Sequence, residues 1–261
     1  MKHPEAIPPK IIAHRGASSH APENTFAAFQ MAIDVGADGV ELDVQLAKDG
    51  VPVVIHDSSL ARTGSSFVRV AELTSKELAK IDVGSWFNAK YKKRANPAFK
   101  RETMPTLAQV LKFLRSYSGL IYIEMKCGDA DFLRLAAAVC ETIRSSPLLP
   151  RIIVKSFKLA AIPEVRHLLP EVQTAALFEP SIMTILRRRK YIIGMAREFG
   201  AHQLSLHRSI VSENLAALAA DAAMPVTVWT ADHPKWIARC RELGIQAMIT
   251  NDPAKILAFR K

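Results

Sequence analysis

The 261-residue sequence is 49% hydrophobic and 23% charged, an ordinary globular composition that excludes a low-complexity chain and is sufficient for a sizeable core. Its three cysteines, an odd number, lack CxxC or zinc-type spacing, which favours a reducing compartment over a disulfide scaffold. The opening MKHPEAIPPK contains no apolar leader, and no stretch reaches about 18 apolar residues. We therefore expect a cytoplasmic protein without stable membrane insertion.

The net charge of +10 is partly concentrated in three runs: Lys92-Lys93-Arg94, Lys100-Arg101 and Arg187-Arg188-Arg189-Lys190. A basic surface attracts anions, including nucleic acids, anionic lipid head groups and phosphate metabolites. A nucleic-acid-binding groove would interleave aromatic residues with the basic ones, and the sequence does not have that pattern. We expect solvated basic faces and no nucleic-acid partner.

Strands and helices alternate along the chain. A helix over 24–37 has apolar residues at helical spacing and Asn24 as a candidate N-cap. A turn at Lys48-Asp49-Gly50 joins the second and third strands, and helices over 132–145 and from Pro253 follow later. The predicted strands span 10–14, 39–46, 51–56, 120–125, 151–157, 172–178, 202–206, 225–230 and 247–250.

This alternation predicts an α/β fold with a parallel sheet. If the pair of strands over 39–56 is one step, the chain contains eight strand–helix units, which favours a closed (β/α)₈ TIM barrel over an open sheet. Residues 58–105 break the rhythm with a polar, basic stretch that contains one short helical piece. We predict a single domain over 1–261, in which 58–105 is an inserted segment that caps the barrel mouth.

Polar residues collect at the ends of the predicted strands. In a parallel barrel, the loops at the C-terminal strand ends build the site, so these side chains should converge. They include acids, histidines and cations, namely His14, Arg15, Glu41, Asp43, His56, Glu124, Lys126 and Lys155.

The acids indicate a metal site. The apolar residues that alternate with Glu41 and Asp43 should face the helices, so the two carboxylates should point inward. Unpaired charges inside a barrel would cost several kcal/mol each, and a bound cation would remove that cost. Together with Glu124, they offer three oxygen ligands, which suit Mg²⁺ or Ca²⁺ better than zinc.

These motifs resemble the signature of the glycerophosphodiester phosphodiesterases, and the similarity covers nearly the whole chain. The matching residues are His14-Arg15-Gly16, Pro22-Glu23-Asn24-Thr25, Gly36 to Val44, Asp49-Gly50, His56-Asp57, Leu60, Arg62-Thr63, Gly84-Ser85-Trp86-Phe87, Pro105-Thr106-Leu107, Ile123 to Lys126, Trp229-Thr230, Ile249-Thr250 and Asp252-Pro253.

The resemblance implies a (β/α)₈ barrel that hydrolyses small-molecule glycerophosphodiesters to sn-glycerol 3-phosphate and an alcohol. It implies a divalent cation on Glu41, Asp43 and Glu124. It also implies general acid–base catalysis by His14 and His56, and phosphate binding by Arg15 with Lys126. The nucleophile is either water or the neighbouring glycerol hydroxyl, which would give a cyclic phosphate that water then opens.

The chain departs from the family pattern near its C-terminus. Family members often have Gly-Val-Asp-Gly where this chain has Gly244-Ile245-Gln246-Ala247, and Val-Asn where it has Ala231-Asp232. The usual Thr-Asp before the final proline is Thr250-Asn251-Asp252. None of these positions belongs to the implied metal or histidine set, so the departures bear on alcohol specificity more than on the reaction.

Other activities stay open. A lysophospholipase D-like activity at the same site would need an apolar groove, which Phe67, Trp86, Phe87 and Tyr91 are placed to line unless they form the small core of the inserted segment. A more distant alternative is a barrel isomerase or aldolase that acts on a phosphorylated sugar, with Lys126 or Lys155 as base or Schiff-base former. The sequence also leaves open whether the chain forms a homo-oligomer.

Overall fold

The computed structural model describes residues 7–183 and 190–260. Nine strands occur in that part of the chain, and they correspond one by one to the predicted strands. They are β1 (Lys10–His14), β2 (Gly39–Leu46), β3 (Pro52–Val54), β4 (Leu120–Met125), β5 (Ile152–Ser156), β6 (Gln173–Phe178), β7 (Gln203–His207), β8 (Val226–Trp229) and β9 (Ala247–Thr250). The third strand is shorter than predicted and ends two residues before His56.

Helices lie between the strands. They are α1 (Phe26–Asp34), α2 (Ser75–Leu78), α3 (Ser85–Lys90), α4 (Leu107–Phe113), α5 (Phe132–Arg144), α6 (Ala161–Leu168), α7 (Lys190–Glu198), α8 (Glu213–Asp221), α9 (Lys235–Glu242) and α10 (Pro253–Leu257). Within the described residues, no helix combines the length and the apolar character needed to cross a membrane.

The first helix begins later than the sequence predicted. Thr25, in an extended conformation, is the N-cap, and its hydroxyl accepts a hydrogen bond from Ala28 N. The prediction that Asn24 caps this helix was therefore wrong. Asn24 has a left-handed backbone with φ of 59°, and its side chain bonds Asp43 instead. The residue thereby joins the loop to the barrel interior.

Eight strands close into a parallel barrel. β1 pairs with β2 on one side and with β9 on the other, and β4 to β8 complete the ring. β3 pairs antiparallel with β2, so the two strands over 39–56 form a hairpin of which only the first belongs to the barrel. The predicted (β/α)₈ TIM barrel is confirmed.

Alternate residues of each strand face opposite sides of the barrel wall. Val40, Leu42 and Val44 pack into a core shared with the helices. Another apolar cluster lies inside the barrel and includes Ile12, Tyr122, Ile153, Ala247 and Ile249. Because neighbours along a strand point to opposite faces, the side chains of Glu41 and Asp43 also lie inside the barrel.

The segment over 58–105 packs against the barrel through two small cores. Leu60, Val70 and Leu78 surround Val53 of β3. Phe87 and Phe99 pack with residues of α1 and of the loop before it.

The capping role of the segment stays a prediction. Its basic runs over 92–94 and 100–101 are exposed, whereas residues 187–189 of the third run lie outside the described residues.

Candidate active site

The strand register aligns the charged residues across the barrel wall. Asp43 of β2 lies beside Glu124 of β4, which lies beside Lys155 of β5. On the other side of β2, Glu41 lies beside His14 of β1. Partners in a parallel ladder project to the same face, so these side chains share one end of the barrel interior.

The carboxylates of Glu41, Asp43 and Glu124 form a compact buried cluster. One oxygen from each lies within 4.8 Å of the others. Each carboxylate also has an oxygen that contacts an ammonium group without good hydrogen-bond geometry, namely Glu41 Oε1, Asp43 Oδ1 and Glu124 Oε1. Such hard oxygen donors, incompletely satisfied and close together, fit a divalent cation such as Mg²⁺ or Ca²⁺.

Basic side chains already compensate this cluster. Lys155 Nζ lies 2.8 Å from Glu41 Oε1 and 3.2 Å from Glu124 Oε2. Lys126 Nζ contacts Glu124 and lies 3.4 Å from Asp43 Oδ1. Arg15 Nε lies 3.0 Å from Asp43 Oδ2. A bound metal is therefore not the only source of compensation for the inward carboxylates, because long cationic side chains reach them from neighbouring strand ends.

The ion pairs fix the charge of the buried groups. Burial alone would raise the pKa of Asp43, but Arg15 and then Lys126 lower it well below its usual range. Burial would lower the pKa of Lys155, yet Glu41 and Glu124 raise it above its usual value. Burial would likewise lower the pKa of Lys126, but Glu124 and Asp43 raise it above its usual value. Both lysines are thus held as ammonium ions, which disfavours the Schiff-base and base roles of the aldolase alternative.

Removal of Lys155 should destabilise the fold. The side chain is 2% exposed and pairs with two buried carboxylates, which Lys155→Met would leave with an uncompensated charge. We expect the free energy of unfolding in urea to fall by about 3–5 kcal/mol. As a control, Lys158→Met breaks the exposed pair with Asp129 and should change it by at most about 1 kcal/mol. Equal effects of the two variants would contradict the buried network.

The turn after β1 holds Arg15 at the mouth. Arg15 and Gly16 both have left-handed backbones, with φ of 57° and 79°. A Cβ atom on Gly16 would lie 2.5 Å from the backbone of Ala28, so only glycine fits between the turn and α1. The Arg15 amide donates to Glu41 Oε2 at 3.1 Å, and its guanidinium also pairs with Glu23 at 2.8 Å.

His14 is a partly buried histidine with a neutral partner. Its Nδ1 lies 2.7 Å from Asn251 Oδ1, and its Nε2 lies 3.9 Å from Glu41 Oε2, too far for a hydrogen bond. Burial lowers the pKa of His14 and outweighs the opposing effects of Glu41 and Asp43. The ring is therefore biased toward the neutral imidazole.

His56 has an ionised partner. Its Nδ1 lies 2.6 Å from Asp57 Oδ1. Burial would raise the pKa of Asp57, but hydrogen bonds from Arg62 and His56 lower it, so this carboxylate stays charged. Arg62 makes two further hydrogen bonds, of 2.7 and 2.8 Å, to Glu23. Through Glu23, the inserted segment is connected to Arg15.

A cleft of about 880 Å³ opens beside His56 and Lys126. One wall comes from the inserted segment, including Arg62 and Arg69, and the other from the loop after β4 and from Phe157. Its size lies in the usual range of small-molecule binding clefts. The cleft extends from His56 and Lys126 toward the surface.

All seven site residues proposed from the sequence lie at this mouth, but several of their partners were not assigned a role. Glu23, Asn24 and Asp57 stand inside the quoted motifs, so their positions were visible although their functions were not. Lys155 was among the residues expected to converge here, but its pairing with Glu41 and Glu124 was not foreseen. Asn251, which is 237 residues from His14, had no local signal.

Comparisons with known proteins agree with this geometry. The model of the glycerophosphoryl diester phosphodiesterase family matches residues 14–255. The chain is 34% identical to YhdW of Bacillus subtilis, over 95% of this chain and 96% of that protein. It is 30% identical to a glycerophosphodiester phosphodiesterase of Caldanaerobacter subterraneus subsp. tengcongensis, over 95% and 96% of the two chains.

A solved structure extends the comparison to three dimensions. A phosphodiesterase from Oleispira antarctica, in complex with the product sn-glycerol-3-phosphate, superposes with a TM-score of 0.83 at 26% identity. The alignment covers 97% of this chain and 96% of that chain. Since the family model spans the barrel from His14 to the last helix, this chain belongs to the glycerophosphoryl diester phosphodiesterase family.

Proposed function

We propose that this enzyme hydrolyses glycerophosphodiesters to sn-glycerol 3-phosphate and an alcohol. The observation that carries the proposal is the buried cluster of Glu41, Asp43 and Glu124 beside two histidines, at the mouth of a barrel of this family. The product bound to the Oleispira antarctica relative supports the same reaction.

The basic groups around the carboxylates are placed to bind the phosphate. A phosphodiester carries one negative charge, and more charge develops on its oxygens during displacement. Lys126 lines the cleft, and both Arg15 and Lys126 contact Asp43. The side chains of Arg15 and Lys126 are 16% and 21% exposed, so both can reach a bound phosphate and stabilise this charge. A divalent cation on Glu41, Asp43 and Glu124 would supply Lewis-acid stabilisation.

The partners of the two histidines favour different roles. We assign His56 as the general acid, because Asp57 Oδ1 lies 2.6 Å from its Nδ1 and can accept a hydrogen bond there, which orients the ring and leaves Nε2 to give a proton to the leaving alcohol. We assign His14 as the general base, because Asn251 is neutral and a partly buried, neutral ring can accept a proton from the nucleophile. The nucleophile is water or the adjacent glycerol hydroxyl, and detection of a cyclic phosphate would identify the second route.

The lysophospholipid alternative has little structural support. Trp86, Phe87 and Tyr91 pack on one another in edge-to-face and tilted arrangements, with ring centroids 4.8 to 6.4 Å apart. Phe87 is fully buried against Phe99. These aromatic side chains form the core of the inserted segment and do not line the large cleft. Phe67 is 95% exposed.

The test is release of the free alcohol from a panel of substrates, with glycerol 3-phosphate as the second product of a glycerophosphodiester and lysophosphatidic acid as the second product of a lysophospholipid. We expect turnover of glycerophosphocholine and glycerophosphoethanolamine, and little turnover of lysophosphatidylcholine, whose acyl chain would need an apolar groove. Comparable kcat/KM on the lysophospholipid would favour the alternative activity. Formation of phosphocholine and glycerol from glycerophosphocholine, which requires cleavage of the other phosphoester bond, would contradict both.

The inserted segment should select the alcohol. It forms one wall of the cleft, through residues that include Arg62 and Arg69. Replacement of 58–105 by the corresponding segment of a relative with another substrate preference should change the kcat/KM ratio of two diesters by about 10-fold or more. The chimera keeps an arginine at position 62, so that the hydrogen bonds with Glu23 persist. An unchanged ratio in a chimera with an intact thermal transition would refute the role.

The cytoplasmic location remains part of this proposal. The three cysteines, Cys127, Cys140 and Cys240, are free thiols, which agrees with a reducing compartment. Self-association is best tested by light scattering coupled to size-exclusion chromatography.

A further inference from the structure

Asn251 lies between His14 and Asp232. On one side, its Oδ1 faces His14 Nδ1 at 2.7 Å, and Ser18 Oγ donates to the same oxygen at 3.1 Å. On the other side, its Nδ2 donates to Asp232 Oδ2 at 2.8 Å. Asp232 follows β8 and Asn251 follows β9, so two neighbouring strand ends hold this chain of contacts.

The orientation of the Asn251 amide follows from Asp232. A carboxylate only accepts hydrogen bonds, so the amide group that faces it must be the NH₂. The carboxylate is itself fixed, because its Oδ1 accepts from the Asn251 backbone N–H at 2.7 Å and from Thr250 Oγ1 at 2.9 Å. Only the carbonyl oxygen of Asn251 can then face His14.

A carbonyl oxygen beside Nδ1 decides which ring nitrogen of neutral His14 carries the hydrogen. The Asn251 oxygen has no proton to give, so Nδ1 must donate. In the other tautomer, two lone pairs would face each other at 2.7 Å. The Nε2 lone pair of His14 is then free on the side of Glu41, where the proposed reaction needs a base.

We propose that Asp232 and Asn251 are positioning residues that hold neutral His14 in the tautomer with hydrogen on Nδ1. The inference rests on the proposed function only where it concerns catalysis, since the tautomer is a property of the resting protein. Asp232 acts through Asn251 and contacts neither the carboxylate cluster nor the ring.

The variant Asp232→Asn should reverse the tautomer. The new carboxamide would use its oxygen for the Asn251 backbone N–H and Thr250, and would present NH₂ to the Asn251 NH₂. Two donors repel, so the Asn251 amide should rotate by half a turn and offer NH₂ to His14. Nδ1 of His14 would then accept, and the hydrogen would move to Nε2.

The exchange variant Asp232→Asn/Asn251→Asp should restore the original tautomer. The amide NH₂ introduced by Asp232→Asn can donate to the carboxylate introduced by Asn251→Asp, which in turn accepts from His14 Nδ1. The composition of the site is unchanged, and only the order of donor and acceptor differs. Rescue by this variant therefore separates a positioning role from a general loss of stability.

The measurement is ¹⁵N NMR of histidine-labelled enzyme with Mg²⁺ at about pH 8, above the ordinary histidine pKa of about 6.5. His14→Gln identifies the His14 signals among eight histidines. We expect hydrogen on Nδ1 in the native and exchange proteins and on Nε2 in Asp232→Asn. Asp252→Asn is the control, because Asp252 bonds His20 and should leave the His14 signals unchanged.

Kinetics provide the second readout. Asp232→Asn should lower kcat by about 10²-fold with little change in KM. The exchange variant should recover only part of the loss, because it restores the tautomer but places a charged carboxylate beside His14. If Asp232→Asn folds and His14 keeps its hydrogen on Nδ1, the positioning role is overturned. If the tautomer changes as expected but His14→Gln stays fully active, the positioning role stands and the catalytic assignment of His14 in the proposed function is the part that fails.

Discussion

Replacement of His56 or His14 by alanine is expected to lower kcat on glycerophosphocholine by about 10²–10⁴-fold, the usual contribution of a positioned general acid or base. KM should change much less, because Arg15, Lys126 and the carboxylate cluster remain. His20→Ala is a matched control, since His20 also pairs with an aspartate, at 2.9 Å from Asp252, but lies outside the proposed machinery. It should keep native turnover.

A substrate with a nitrophenyl leaving group separates the two roles. Nitrophenolate leaves without protonation, so loss of the general acid should matter little. We expect His56→Ala to regain most of its turnover on this substrate, whereas His14→Ala stays impaired because the nucleophile still needs a base. Rescue of His14→Ala instead would reverse the assignment, and near-native turnover of both variants on glycerophosphocholine would contradict acid–base catalysis by these residues.

Removal of divalent metal is expected to abolish activity, and Mg²⁺ or Ca²⁺ should restore it. The reason is the set of three buried carboxylates whose ligand oxygens lie within 4.8 Å of one another. Glu41→Gln replaces one anionic ligand by a neutral one and should weaken metal binding by about 10-fold or more in calorimetric titration. Glu102→Gln changes a half-buried glutamate outside the cluster and should bind metal as the native protein does.

A bound metal ion would change the net charge of the carboxylate cluster. Arg15, Lys126 and Lys155 already balance the three carboxylates, so a bound dication adds two positive charges to a neutral site. An anionic phosphodiester or product offsets part of that excess. We expect glycerol 3-phosphate to raise metal affinity and metal to raise product affinity by the same factor. Full activity in excess chelator, or restoration only by a soft metal, would contradict the ligand set.

The barrel was predictable because its signal is local. Strands alternate with helices along the whole chain, and within β2 the apolar and acidic residues alternate with a period of two. That period alone directs Glu41 and Asp43 inward, as the structure has them. The hairpin over 39–56 was also foreseen, although its second strand is limited to Pro52–Val54.

The connections within the site were not predictable in the same way. Whether Lys155 neutralises Glu41 depends on the register between β4 and β5, which no local pattern encodes. Asn24 was read as a helix cap because asparagine favours that position, but the left-handed turn at this residue directs its side chain to Asp43. The pairing of His14 with Asn251 requires closure of the barrel between its first and last strands.

The most direct test of the proposed reaction is the ³¹P NMR spectrum of glycerophosphocholine incubated with the purified enzyme and Mg²⁺ or Ca²⁺. We expect the phosphodiester signal to be replaced by that of sn-glycerol 3-phosphate, with one free choline released per phosphate. Formation of phosphocholine, or a diester signal that persists with folded, metal-loaded enzyme, would contradict the proposed function.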